Sequence, residues 1–377
     1  MKRGIVIIII ASGFCGCIKS YTPNVHSPAT GYLVVEGNIN TAPATTTITL
    51  SRTEPLTDTA SQLFENGATI AVEGSDGSIY NGAQAGSGQY NFGAIPLDST
   101  KTYRLDITTA AGTRFMSEFV KVIPTPPIDS IYATYDGSGA HILLDTHNPQ
   151  NNTHYYMWSW SETWEFTSAE YSYYMYNGSA VVPRPDSDQV YYCWRNDAST
   201  SIMIYSSAKL SQDVVSQFQL NLIPGGDQRL SFEYSVLVNQ YGLADSAYDY
   251  LQLMQGNTES LGSIFDPLPS SLKGNIYCVS DPSQPVVGYV NASAVQTQRV
   301  FIQRPYNWSY EFGCYQKDTV IQPDTKDLER NFAGGNHSMY TPVAATQPPG
   351  LGWVSNQTTC VNCIAMGGTN VKPSFWP

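Results

Sequence analysis

The sequence predicts a mainly β fold: two tandem β-sandwiches, one helix packed on them, and an irregular C-terminal tail held by disulfides. Three observations predict it. Short runs alternate apolar and polar residues with period two and are broken by turn residues, as in Tyr32-Leu-Val-Val-Glu-Gly37 and Ala68-Thr-Ile-Ala-Val-Glu73, the pattern of strands buried on one face. Charged residues are only 13 % of the chain while Tyr alone occurs 26 times, a mixture better suited to β-structure facing an extracytoplasmic environment than to a helical cytoplasmic enzyme. Five cysteines, Cys193, Cys278, Cys314, Cys360 and Cys363, follow a start that directs export, and exported chains keep disulfides.

That start is residues 1–17. Lys2 and Arg3 precede a short apolar run, and Gly16 places a small residue before Cys17. The run is about half the ~20 residues a spanning helix needs, so it reads as a signal segment, residues 1–16, with Cys17 as the lipidation site. Cys15 follows the bulky Phe14 and is the poorer candidate. Removing residues 1–16 takes away Lys2 and Arg3 and moves the net charge from −12 to −14. Nucleic acid is not an expected partner, because phosphate binding needs a basic footprint.

Residues 17–30 carry Pro23 and Pro28 and little that could pack, so they read as a tether. Residues 31–124 form the first predicted sandwich. Within them the run from Ile95 to Ile107 resembles the tyrosine-corner segment of immunoglobulin/fibronectin-III-like sandwiches, with Leu97, Tyr103, Leu105 and Ile107 inward and Arg104 and Asp106 outward. Pro124-Thr-Pro-Pro127 is the linker. Residues 128–304 are the second predicted sandwich, dense in aromatics: Trp164, Phe166, Tyr171, Tyr173, Tyr174 and Tyr176 suggest an insertion that could anchor a partner or stack on a sugar. The bland reading places most of these rings in the core. One helix is expected at 245–255, with Ala247, Tyr250, Leu251 and Met254 on its inner face and Gly256 at its stop. Residues 305–377 read as an irregular segment packed on the second domain.

The cysteines after Cys17 are odd in number, so two disulfides leave one thiol. Cys278, in an apolar strand-like run, is the expected free one, and Cys193, Cys314, Cys360 and Cys363 are the disulfide candidates, their pairing open. Cys360-Val-Asn-Cys363 has no second ligand pair for zinc and no βαβ setting for redox chemistry. No metal, cofactor, nucleophile elbow or phosphate loop is expected. Five Asp-Ser/Thr triplets, four ending in an apolar residue and one in Thr100, resemble the Asp-Ser/Thr-apolar O-glycosylation acceptor of Bacteroidota, which makes Thr59, Ser99, Ser130, Ser246 and Thr319 candidate acceptors.

The chain as a whole resembles a group of Bacteroidota outer-membrane lipoproteins catalogued as domain of unknown function 4249. The resemblance rests on Leu33-Val-Val-Glu-Gly37, Thr49-Leu-Ser-Arg-Thr53, the run from Trp158 to Phe166, Tyr192-Cys-Trp194, Gly274-Asn-Ile-Tyr277, Val287-Gly-Tyr289 and, most specifically, the ending from Cys360 to Trp376. Members are typically encoded beside TonB-dependent outer-membrane transporters. The resemblance therefore implies a lipid-anchored outer-membrane protein, on the cell surface rather than the periplasmic face, serving as a non-enzymatic accessory of such a transporter in substrate capture or gating. It brings no catalytic residues. The rival expectations are a hydrolase with a carboxylate pair on its β-domains and an adhesion or envelope-structural module.

Overall fold

The computed structural model describes residues 31–41, 43–54, 62–259, 273–321, 324–343 and 352–377. The signal segment, the tether, Cys17 and Thr59 lie outside them. No helix among the described residues is long and apolar enough to cross a membrane.

The fold is mainly β, but the first sheet is a barrel and not the expected sandwich. Strands Thr102–Thr108, Thr69–Gly74, Ile79–Gly86, Gln89–Phe92, Thr47–Arg52, Leu33–Asn40, Asn291–Ser293 and Val120–Ile123 pair in that order, and the last pairs back to the first. Closure depends on Asn291–Ser293, which inserts parallel to Leu33–Asn40 on one side and Val120–Ile123 on the other. Period-two alternation is the same in an open sandwich and a closed barrel. The deciding strand lies far down the chain, so local pattern could not reveal it. Closure removes two edges that would otherwise present unpaired backbone groups.

Inside the barrel Leu33, Val35, Ile48, Leu50, Ile70, Val72, Tyr103, Leu105, Ile107 and Phe115 form one buried core. Tyr103, Leu105 and Ile107 point inward as their spacing predicts, and the Asp98 backbone N–H donates to the Tyr103 hydroxyl at 2.8 Å. Arg104 and Asp106 point out and pair with Glu73 at 2.7 Å and Arg114 at 2.5 Å.

The second unit has two antiparallel sheets. Ile128–Tyr135, Gly139–His147 and Val214–Pro224 form one. The other centres on the 13-residue strand Tyr155–Thr167, flanked by Tyr192–Ala198 and Met203–Ser206 on one side and by Glu233–Gly242, then Val295–Gln303, on the other. Both contribute to one core, with Ile142, Leu144 and Ile223 from the first and Trp158, Phe166, Tyr234 and Val238 from the second. The segment holding Ile276–Cys278, Val287–Gly288 and Asn291–Ser293 falls inside the 128–304 division drawn from sequence, yet its strands pair with the first sheet. The two units are thus built from interleaved chain.

The predicted helix forms as Asp245–Glu259 and runs through Gly256, where a stop was expected. Its cost is modest, since glycine inside a helix is worth only about 1 kcal/mol less than alanine. Ala247 and Tyr250 are buried, and Tyr250 reaches across to accept from the Gly288 N–H at 2.9 Å. The helix therefore bridges the units and does not merely cover the second.

Residues 305–377 are more regular than expected. Asp318–Ile321, Gly352–Gln357 and His337–Pro342 make a three-stranded sheet, and helix Thr325–Phe332 starts from an Asp324/Asp327 capping box. Strands this short, split by Pro and Gly, leave no periodicity to read. Cys193 joins Cys363, Cys314 joins Cys360, and Cys278 is the buried free thiol.

Candidate functional site

The aromatic segment divides at Thr167. Up to that residue the chain continues the central strand, whose alternation turns Trp164 (6 % exposed) and Phe166 (0 %) into the core. Both are among the rings that the sequence offers as partner anchors, and their burial places them with the core reading instead. After Thr167 the chain leaves the sheet and Tyr171 (37 %) and Tyr173 (59 %) emerge on the surface. Tyr174 and Tyr176 are half-buried: Tyr174 packs on Trp353 at 4.7 Å between ring centroids and Tyr176 on Phe332 at 6.4 Å.

Tyr173 and Tyr171 begin a continuous row of rings. Centroid separations are 4.7 Å from Tyr173 to Tyr171, 5.3 Å to Tyr191, 4.8 Å on to Tyr192 and 6.0 Å to Phe232. All four lie within the 4.5–7 Å range of favourable aromatic pairs, each worth about 0.5–1.5 kcal/mol beyond area burial. Tyr192 and Phe232 are exposed at 39 % and 47 %. Phe232 escaped the sequence reading because it lies more than fifty residues beyond the segment, just before strand Glu233–Gly242.

This row is held by backbone rather than by its own side chains. The Glu170 N–H donates to the Cys360 carbonyl at 2.9 Å, Tyr173 N–H to Tyr340 at 3.1 Å, and Arg184 N–H to Tyr173 at 2.9 Å. The Ser172 hydroxyl donates to the Tyr174 carbonyl and accepts from Arg184 Nε. Arg184 in turn pairs with Asp188 at 2.7 Å. Cys193 beneath the row is tied to Cys363, and the Cys363 N–H donates to Val190 at 2.8 Å. The C-terminal segment is thereby the platform on which the rings stand.

Two carboxylates on the outer face of the same sheet bear on the hydrolase expectation. Glu165 and Glu233 sit opposite each other on neighbouring strands. Burial raises the Glu165 pKa, only partly opposed by the Trp376 indole N–H, which donates to it at 3.0 Å. Glu233 accepts from Gln303 at 2.6 Å. Neither is among the residues lining the cavity at the junction of the units, the one beside Phe312 and Cys314 or the one beside Trp160 and Leu220.

The candidate acceptors scatter over the molecule. Ser99 and Thr319 are exposed, and Ser246 is exposed with its hydroxyl 2.6 Å from that of Tyr289. Ser130 is half-buried and donates to Asp145 at 3.0 Å. Among the described residues no group of His, Cys, Asp and Glu is arranged to hold a metal ion.

A family described as Domain of unknown function (DUF4249) matches residues 18–299. The match spans both units up to and including the strand that closes the barrel, and stops before the C-terminal segment. No curated protein matches the chain. The chain belongs to this family.

Proposed function

For a member of the domain of unknown function 4249 family, we propose a lipid-anchored outer-membrane protein that serves a TonB-dependent transporter as a non-enzymatic accessory in substrate capture or gating. The observation that carries this reading is the row Tyr173–Tyr171–Tyr191–Tyr192–Phe232, exposed at every ring but the half-buried Tyr191. Rings with two rotatable bonds lose little entropy on docking and dominate interface energetics, where one anchor can be worth about 2 kcal/mol or more. A row fixed by backbone hydrogen bonds and a disulfide meets its partner already ordered, which lowers the cost of association. The signal segment and Cys17 support a membrane location, with the cell-surface side as the proposed face.

A hydrolase would use a pair such as Glu165 and Glu233. Each of these already accepts a hydrogen bond from a neighbouring side chain, and both stand on an outward sheet face, where no bound sugar ring would be enclosed. Binding is the better use of this surface.

Purification of the native protein from outer membranes in gentle detergent tests the reading. A TonB-dependent transporter should accompany it in near-equal amount, and Cys17→Ser should shift the protein to the soluble fraction. Recovery of the lipoprotein alone would count against the partnership, and membrane retention of the Cys17→Ser variant against the anchor.

A further inference from the structure

A cavity of about 330 Å³ opens where the barrel, the second unit and the bridging helix meet. Its wall takes Val34 and Glu36 from the first barrel strand, Met157 and Tyr241 from the second unit, and Leu251 and Met254 from the helix. Tyr289 and Gly288 close the remaining side. The volume lies within the roughly 300–1,000 Å³ of small-molecule sites, and the wall is apolar with few polar groups, as such sites are. Methionine on two sides gives a lining that adapts to its occupant.

The backbone around the cavity is built tightly. Gly288 has φ +138°, and a Cβ there would meet the Val35 carbonyl oxygen at 2.2 Å, so no other residue could stand at that wall. The polar groups of the lining are mostly spoken for. Asn291 donates to Asn38 at 2.8 Å and to Gly242 at 3.0 Å, Tyr250 accepts from Gly288, and Tyr289 pairs with Ser246. Glu36 is different. It is the one charged side chain in the wall, it is exposed at the rim, and no cation pairs with it among the described residues. Its charge reaches into the site: the Tyr250 phenol is pushed up by burial, and further by Glu36, against the lowering from the Gly288 hydrogen bond.

We infer that this junction cavity binds a compact organic cation, an amine on an apolar body, with the apolar part between Met157, Leu251 and Met254 and the ammonium against Glu36. A carboxylate at the mouth of a low-dielectric cavity attracts a cation far more than one on an open surface does. An anion of the same shape meets repulsion and a lost hydration shell. The inference stands apart from the transporter partnership, since it concerns the isolated chain.

Calorimetry on the full mature chain with 4-phenylbutylamine and 4-phenylbutanoate tests it, because the two probes share a body and differ in charge. The amine should bind one per chain and at least tenfold more tightly than the acid. Glu36→Gln, at an exposed position, should erase that preference. Leu251→Trp should fill the cavity and abolish binding of the amine, with Met254→Trp as a second filling variant should the first unfold. Equal binding of the two probes, a preference that survives Glu36→Gln, or undiminished amine binding in a folded Trp variant would each overturn it. So would binding that never saturates, which the net charge of −14 on the mature chain would give on its own.

Discussion

At the scale of single residues, Glu162 shows how a buried charge is accommodated. It is fully buried in the second core, where Tyr234 donates to it at 2.6 Å, Asn221 at 2.9 Å and Arg229 at 3.2 Å. Burial raises its pKa above the ordinary 4.5, and the Tyr234 and Arg229 contacts only partly reverse this. Burial by itself would lower Arg229, but the hydrogen bonds and charges of Asp227 and Glu162 outweigh it and hold the guanidinium charged. The sign of the pH effect follows. The folded chain keeps a proton on Glu162 that the unfolded chain has released, so this contribution is full below 4.5 and is lost as pH rises through the raised value. Thermal unfolding across pH 4.5 to 8 should show the wild type losing stability relative to Glu162→Gln as pH rises. A constant difference would contradict the assignment. Glu162→Ala, which strips the Tyr234, Asn221 and Arg229 donors of their acceptor, should cost about 3 kcal/mol. At this scale the sequence was legible where a residue's role is local. Tyr103 was placed from its spacing, while anchor and core readings both stood for Trp164 and Phe166 because their burial follows from the strand continuing to Thr167.

Among elements, the C-terminal segment and its disulfides have the clearest measurable weight. The Cys193–Cys363 bond spans 170 residues and Cys314–Cys360 spans 46. Chain-entropy reasoning gives the longer loop about 5 kcal/mol, and the shorter about 1 kcal/mol less. Replacing Cys193 and Cys363 by Ala should therefore lower the denaturation midpoint more than replacing the other pair. The reverse ranking would show that local packing, not loop closure, sets the effect. Cys278 as the free thiol was readable from its strand setting, whereas the pairing was not, because it depends on which strands the fold brings together. The helix was readable from its apolar face. That this face spans two units depends on Val287–Gly288 and its neighbours returning to the barrel.

For the whole molecule, the interleaving of the two units makes the strongest prediction about folding. A fragment of residues 31–127 holds seven of the eight barrel strands and lacks Asn291–Ser293, leaving Leu33–Asn40 and Val120–Ile123 without their shared neighbour. Its amides along those two strands should exchange at rates near those of an unfolded chain, while in the full chain they are protected. Full protection in the fragment would mean that the barrel closes without its late strand. Mainly β character was legible in the alternation. The barrel was not, since a strand pair separated by some 250 residues leaves no local trace.

The proposed function, at the same scale, rests on the ring row presented by the C-terminal platform. The most direct measurement is photo-crosslinking in intact cells, with p-benzoylphenylalanine placed at Tyr173, at Tyr192 or at Tyr135, whose exposure lies between those two but which stands on the other sheet. Crosslinks to a TonB-dependent transporter from Tyr173 and Tyr192, and none from Tyr135, are the predicted result. A transporter crosslink from Tyr135 alone, or none from any position, would contradict the account.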